Sequence, residues 1–511
     1  MLLLIFIVCF ACASANRYSV HAVSNPDAFA LEHSLHHVAR VAGFDIFEPK
    51  ERLISDAHLT ALGLHKDKKR QQFKRSRVND PLYPSQWHLH DNPFAVGVVE
   101  GATGKGVNVA IVDDGVQHSH ADLRVNYRAD LSYDFNGHDN DPAPYSYDSH
   151  GTSCSGVCCA AQNNHVCGRG VAPEASIVGI RLIARTTYDY EEAQGLTHRN
   201  DVIRIYSSSW GPTDNGMDMV APGRVTQEAL KQGYESGDAI YIWAGGNGRT
   251  AQDSSNYDGY ANSPYTLAIG AVDHTGHQSW YSESGANLIG VTPSSGAGKG
   301  IATVDLKNRC THRFGGTSSS APLAAGLVAL MLEARPDLRV RDVQHIMAKT
   351  ASKNVRGGQW SHMNSRGYTH SNGFGFGLLR TRALITEAKN HQLVPHPVRY
   401  VQSSTVTLKN MHLPTRVQVK APNALSFIEQ VLVTVRMTHP QRGQVKVRVM
   451  SPEATSILAE KRGDSHSGQS TWTYSSLRHW GEELHRADTW TVALDDTRGT
   501  VQSVQITWMG Y

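Results

Sequence analysis

The chain has 511 residues, of which 40% are hydrophobic and 19% charged, and its formal net charge is +3. That length exceeds one ordinary domain and points to two to four units. So small a net charge excludes bulk electrostatic binding of nucleic acid, but it leaves room for a local acidic cleft.

Residues 1–15, MLLLIFIVCFACASA, are apolar and end in Ala13-Ser14-Ala15. An apolar core followed by small-x-small reads as a signal peptide cut after Ala15, so the secretory route is expected. No later stretch approaches 18 consecutive apolar residues, so the mature chain is expected to carry no membrane anchor. Residues 16–77 end in a basic cluster, with seven Lys/Arg and one Asp between Lys66 and Arg77. A basic cluster ahead of a domain start reads as a processing site. Cleavage after Arg77 would release a pro-segment, residues 16–77. Seven cysteines are present, and Cys9 and Cys12 leave with the signal. The remaining five are an odd number, which implies a free thiol or an intermolecular bond.

From about 78 to 393, short apolar β-branched runs alternate with helix-like stretches. Val107–Val112, Ile177–Ile180, Ile203–Ser209 and Ala239–Trp243 are such runs. This predicts an α/β domain with a parallel sheet covered by helices on both faces. Active-site residues of such folds lie at the carboxyl ends of strands. From 394 to 511 the pattern changes to period two, as in FIEQVLVTVRM and QVKVRVM, with Gly/Pro turns between. That predicts an antiparallel β-sandwich or barrel.

Three separated motifs carry chemistry. Asp113 ends the apolar run before Asp114-Gly115, where a carboxylate can orient a histidine. His150-Gly151-Thr152-Ser153 puts a histidine at a helix start with little steric cover. Gly315-Gly316-Thr317-Ser318-Ser319-Ser320 feeds an apolar helix, so Ser318 stands near the positive end of a helix dipole. Each motif alone is ordinary: an Asp-Asp-Gly turn, a structural histidine, an N-cap serine. Together they have the order Asp…His…Ser, the order of subtilisin among serine hydrolases. Asp113 would fix the tautomer of His150, His150 would take the proton of Ser318, and Ser318 would attack a carbonyl. Asn247, between glycines after the apolar run 239–243, is the expected oxyanion donor.

These residues resemble the kexin/furin-like proprotein convertases of the subtilase family, with most likeness to the type-7 branch. Asn79-Asp80-Pro81, Gln86-Trp87-His88-Leu89, residues 258–263 (DGYANS) and residues 342–345 (DVQH) carry the resemblance. It implies a subtilisin-like catalytic domain over 78–393 and a P domain over 394–511. It implies autocatalytic removal of an inhibitory pro-segment and processing of secretory proproteins in the Golgi or beyond. Substrate residues are numbered P1, P2 and P4 upstream from the cut bond. The resemblance then implies that Asp214 and Asp258 read a basic P1 residue, Asp114 a basic P2 residue, and Glu192 with Tyr260 a P4 residue. Two positions depart from the pattern. Tyr147 stands where an S2 acid is expected, with Asp148 beside it, and Val220 stands where a second S4 acid is expected, with Asp218 close by. The resemblance also implies Ca2+ as cofactor. One site would use Asp80, Asp122, Asn164 and the carbonyls of Ala161, Val166 and Gly168; another would use Asp214, Asp253 and Glu283. It pairs Cys167 with Cys310 in a disulfide and leaves Cys154 free, while Cys158 and Cys159 receive no role. Arg462-Gly463-Asp464 reads as a chance loop tripeptide rather than an adhesion motif. A monomer is expected.

Overall fold

A computed structural model describes residues 78–236, 239–395 and 400–511, together with the backbone of four strands in the first 77 residues. Backbone contacts divide the chain into two compact units, 1–77 and 78–511. In the first unit, strands β1 (Tyr18–His21), β2 (Leu35–Val41), β3 (Phe44–Pro49) and β4 (His65–Lys66) form an antiparallel sheet in the order β2-β3-β1-β4. The signal segment and the Arg77 processing site lie outside the described residues.

The second unit begins with a parallel sheet. Its strands are β5 (Asn108–Asp113), β6 (Tyr133–Asp134), β7 (Ser176–Arg181), β8 (Ile205–Ser208), β9 (Ile240–Ala244), β10 (Thr266–Val272) and β11 (Leu288–Pro293). They are ordered β11-β10-β9-β8-β5-β7-β6, and every neighbouring pair is parallel. Strands β8, β9, β10 and β11 are buried throughout. Strands covered on both faces have no solvent side to alternate with, which is why their sequences are nearly continuous apolar runs. The chain leaves β5 first toward β6 and β7 on one side, then passes to β8 on the other. The order therefore reverses beside β5, and in open α/β sheets the carboxyl ends of the strands at such a point are where ligands bind.

Helices α1 (His150–Cys159), α2 (Asp189–Thr197), α3 (Arg224–Glu235), α4 (Thr317–Ala334), α5 (Val340–Thr350) and α6 (Thr381–Asn390) accompany the sheet, with a two-stranded ribbon of β12 (Ile301–Asp305) and β13 (Arg309–Phe314). Helix α4 is the one described helix long and apolar enough to cross a membrane, and 83% of that window is buried inside the protein. It is the core helix, packed among Val157, Ile205, Ile242 and Ile269.

The C-terminal strands form two antiparallel four-stranded sheets. One is ordered β14 (Tyr400–His412), β21 (Thr500–Gly510), β16 (Ile428–His439), β19 (Gly468–Ser476). The other is ordered β15 (Thr415–Lys420), β20 (Thr489–Asp495), β17 (Lys446–Met450), β18 (Thr455–Ala459). Burial alternates along β15 and β17 as their sequences do. The inward residues of both sheets, among them Val433, Val447, Trp490 and Val504, share one apolar core. This is a sandwich, not a barrel.

Candidate active site

The crevice at the end of β5 gathers the predicted residues. Asp113 is the last residue of β5 and fully buried. His150 opens α1, and its side chain is 35% exposed. Its Nδ1 lies 2.8 Å from Asp113 Oδ1 and 3.0 Å from Oδ2. Gly151 makes this approach possible: a Cβ there would sit 2.4 Å from the Gly115 carbonyl oxygen and 2.8 Å from Asp113 Cβ. Asp114 fastens the same helix start, because its carboxylate accepts the N–H groups of His150 at 3.1 Å and Gly151 at 2.7 Å. Burial, and then the charge of Asp113, pushes the Asp114 carboxyl up to about 6.

Ser318 lies in the first turn of α4, after Gly316 at φ 71°. That left-handed backbone suits glycine and turns the loop into the helix. The Ser318 hydroxyl donates to the Ser209 carbonyl at 3.5 Å. Among the described residues it makes no hydrogen bond to His150; such bonds often tighten only when substrate arrives. A link that the sequence motifs did not show is Cys154. It is free and buried, its Sγ donates to the Ser318 carbonyl at 3.4 Å, and it lies 3.9 Å from His150 Nδ1. Ser209 Oγ also donates to the Ser318 carbonyl, at 3.1 Å. Burial works against a charged His150, yet the Asp113 carboxylate and the Cys154 sulfur outweigh it and hold the imidazole well above its usual range.

Asn247 follows β9. Its Oδ1 accepts from the Thr317 N–H at 2.8 Å and the Thr317 hydroxyl at 3.0 Å. That fixes the orientation of the amide. A Cβ on Gly316 would be 3.3 Å from Asn247 Oδ1 and 3.6 Å from Ser318 Oγ, so the donor and the hydroxyl border one space.

The predicted specificity acids are also placed. Asp258 Oδ1 accepts the N–H groups of Tyr260 and Ala261 at 2.7 and 3.2 Å. Among the described residues no cation lies within ion-pair distance of it. Burial pushes its carboxyl up to about 7. Glu192 accepts hydrogen bonds from the Tyr260 hydroxyl at 2.7 Å and the Thr187 hydroxyl at 3.2 Å, and burial raises its pKa. Its neighbour Glu191 takes Arg185 instead, at 2.8 Å. Val220 is exposed and bridges Asp258, while Asp218 accepts from Asn215. Tyr147 is exposed, and Asp148 turns to Arg181 at 3.8 Å.

The two residue sets expected to hold calcium differ in form. Asp80 is buried and accepts the N–H groups of Asn163, Asn164 and His165. Asp122 Oδ1 accepts from Asn164 Nδ2 at 2.7 Å, whereas its Oδ2 is buried with no partner. Burial pushes the Asp122 carboxyl up to about 8. A buried orphan carboxylate oxygen beside a second carboxylate and carbonyl-rich loop residues 161–168 fits a hard cation. At the other set, Asp214 accepts the Asn247 N–H, Glu283 accepts the Gly248 N–H, and Asp253 accepts the Gly216 N–H. Burial, then the charges of Asp253 and Asp214, hold Glu283 well above its usual range. A cation would relieve that repulsion. The three carboxylates do not all converge within 4.8 Å; among the described residues the set that does so is Asp113, His150 and Cys154. Arg462 already supplies one positive charge there, 2.8 Å from Asp253 Oδ1. Arg462 and Asp464 are both buried, and they pair with each other at 3.0 Å, so the two charged side chains of this tripeptide are engaged inside the protein.

Cys167 and Cys310 are joined by a disulfide, and so are the adjacent Cys158 and Cys159.

The fold and this site define a subtilase. The family model for the subtilase family matches residues 104–377, and the chain belongs to that family. A model for the proprotein convertase P-domain matches residues 428–509. Human proprotein convertase subtilisin/kexin type 7 is 39% identical over 81% of this chain and 57% of its own length. Proprotein convertase subtilisin/kexin type 6 of Rattus norvegicus is 36% identical over 83% of this chain and 49% of its own. The chain thus spans about half the length of these curated relatives. The crystal structure of a serine protease of Aeromonas sobria shares the fold at a TM-score of 0.76, with 22% identity over 87% of this chain and 98% of that one. The resemblance to the kexin/furin-like convertases and the expected two-part fold are both borne out.

Proposed function

We propose that the chain is a calcium-dependent serine endopeptidase that processes secretory proproteins by cutting after paired or clustered basic residues. Residues 16–77 inhibit it until autocleavage after Arg77 in the secretory pathway. The observation that carries the activity is the Asp113–His150 pair at 2.8 Å, with Ser318 at a helix N-terminus bordering the Asn247 amide.

The chemistry follows from the residues. Asp113 accepts the His150 Nδ1 proton, so Nε2 is left as the base. Ser318 Oγ gives its proton to Nε2 as it attacks the carbonyl carbon. The oxyanion receives hydrogen bonds from Asn247 Nδ2 and the Ser318 N–H, near the positive end of α4. His150 returns the proton to the departing amine, and water then repeats the sequence to free Ser318. A P1 guanidinium pairs with Asp258, which has no cation within ion-pair distance among the described residues. Bound Ca2+, held by Asp80, Asp122, Asn164 and their carbonyl neighbours and by the Asp214–Asp253–Glu283 set, would neutralise buried carboxylates. The matched relatives, convertases by name, support the substrate class.

The test is cleavage of peptides with Arg or Ala at P1, with and without a calcium chelator, by the chain and by Ser318→Ala. Calcium-dependent cleavage after Arg that is absent in the variant is expected. Cleavage surviving in Ser318→Ala, or insensitive to P1, overturns the reading.

A further inference from the structure

A cavity of about 610 Å³ lies outside the protease machinery. Its walls come from residues 96–99, the end of α5 with Ser352, and the first turns of α6. None of Asp113, His150, Asn247 and Ser318 lines it. We propose that this cavity binds a small amphiphilic anion, a carboxylate on a short hydrocarbon body, with Arg380 and Arg382 holding the charge and Val96, Val98 and Val99 the apolar part. The site stands or falls independently of the protease activity.

Charge selects an anion. The walls carry two guanidiniums, of Arg380 and Arg382, and one carboxylate, of Glu387. Glu387 is already matched, because Lys349 Nζ donates to it at 2.8 Å and His391 Nδ1 lies 3.8 Å away. The guanidiniums are not matched. Arg380 is half-buried and donates to the Pro93 carbonyl, and among the described residues no carboxylate lies within ion-pair distance of it. Burial lowers its pKa, and no neighbouring acid opposes that effect. Arg382 is exposed and likewise has no carboxylate within ion-pair distance among the described residues. A guanidinium drawn out of water without a counter-charge is costly, and an arriving carboxylate relieves that cost through charge-assisted hydrogen bonds.

The rest of the lining selects an apolar body. Val96 is buried, and Val98, Val99 and Ala383 are half-buried. Mostly apolar walls with a few placed polar groups are the form of small-molecule sites, and an inorganic anion would leave those walls unused. A cationic amphiphile would meet two guanidiniums and a carboxylate that Lys349 already holds.

The walls are tied together by backbone bonds. The Thr381 N–H donates to the Val96 carbonyl at 3.0 Å, and Ser352 and Leu378 exchange two N–H to carbonyl bonds at 2.8 Å. The cavity is therefore formed ahead of any ligand, which keeps the ordering cost of binding low.

The test is calorimetric titration of the full chain with octanoate, using octylamine, octanol and inorganic phosphate as controls. Octanoate is expected to bind one to one, about tenfold or more tighter than each control. Arg382→Gln is expected to weaken octanoate binding by about tenfold, the scale of one lost charge-assisted hydrogen bond. Because Arg382 is exposed, thermal unfolding of this variant should match that of the unaltered chain. Arg380→Gln should weaken binding at least as much. Octanoate that does not saturate, octylammonium that binds as well as octanoate, or Arg382→Gln and Arg380→Gln variants that bind it unchanged each overturn the site. Phosphate binding as tightly as octanoate overturns the amphiphilic ligand class. An acetylated dipeptide with a free leucine carboxylate that binds more tightly than octanoate overturns the small-molecule source in favour of a peptide terminus.

Discussion

The two halves of the second unit handle charge in opposite ways. In the C-terminal sandwich the buried charges are paired. Arg462 bonds Asp253 and Asp464, and Glu429 receives Arg341 at 2.7 Å and His345 at 2.9 Å. Three of these pairs cross between the halves, since Asp253, Arg341 and His345 belong to the sheet-and-helix domain. In that first half, among the described residues, Asp258, Glu192, Glu283 and Asp122 have no cation within ion-pair distance. Burying an unpaired carboxylate is costly, so a fold keeps one where a ligand will complete it. The paired set is expected to bear on stability, and the proposed ligand recognition falls to the unpaired one.

That contrast can be broken or sharpened by experiment. Removing the nucleophile has the largest expected effect. Ser318→Ala should lower kcat by about 10⁶, the scale seen when subtilisin loses its triad serine, with unchanged thermal unfolding. Altered unfolding would mean that Ser318 is a packing residue. Next comes the oxyanion donor. Asn247→Ala should lower kcat by roughly 10²–10³ and leave KM near its value, since the hydrogen bond forms only as charge develops. A change in KM alone would place Asn247 in substrate binding.

The paired set should respond in stability rather than rate. Glu429→Ala strands a buried guanidinium, and a loss of about 3–5 kcal/mol in unfolding free energy is expected. Activity per folded molecule should stay the same; a matched fall in kcat would show that this pair shapes the site. The smallest effect is on pH. The Asp258 carboxyl stands at about 7 with no substrate, so it takes up a proton as pH falls through that value. A protonated acid cannot pair with P1 Arg. KM for Arg substrates should therefore rise below pH 7, by up to about tenfold per pH unit. A KM flat from pH 8 to 5 would remove Asp258 from P1 recognition.

Much of this architecture could be read without coordinates. The parallel sheet was legible because its strands are buried on both faces and so leave continuous apolar runs, as at residues 240–244. The sandwich was legible because β15 and β17 alternate. Choosing between sandwich and barrel was not, because that depends on which sheet edges pair. The chemical residues stood out where local sequence places them, at a strand end, a helix start and a Gly-rich turn.

The sequence by itself determined which residues meet these local conditions and the order Asp113, His150, Ser318, because strand ends and helix starts are set by near neighbours. Tertiary structure alone decided which charges are spent. Asp148 meets Arg181, Asp253 meets Arg462, and Asp258 meets no cation among the described residues. Those outcomes depend on partners 33 and 209 positions away in the chain, by subtraction of the residue numbers. A carboxylate in a sequence looks the same whether its counter-charge is an internal arginine or a substrate not yet bound, and only packing distinguishes the two.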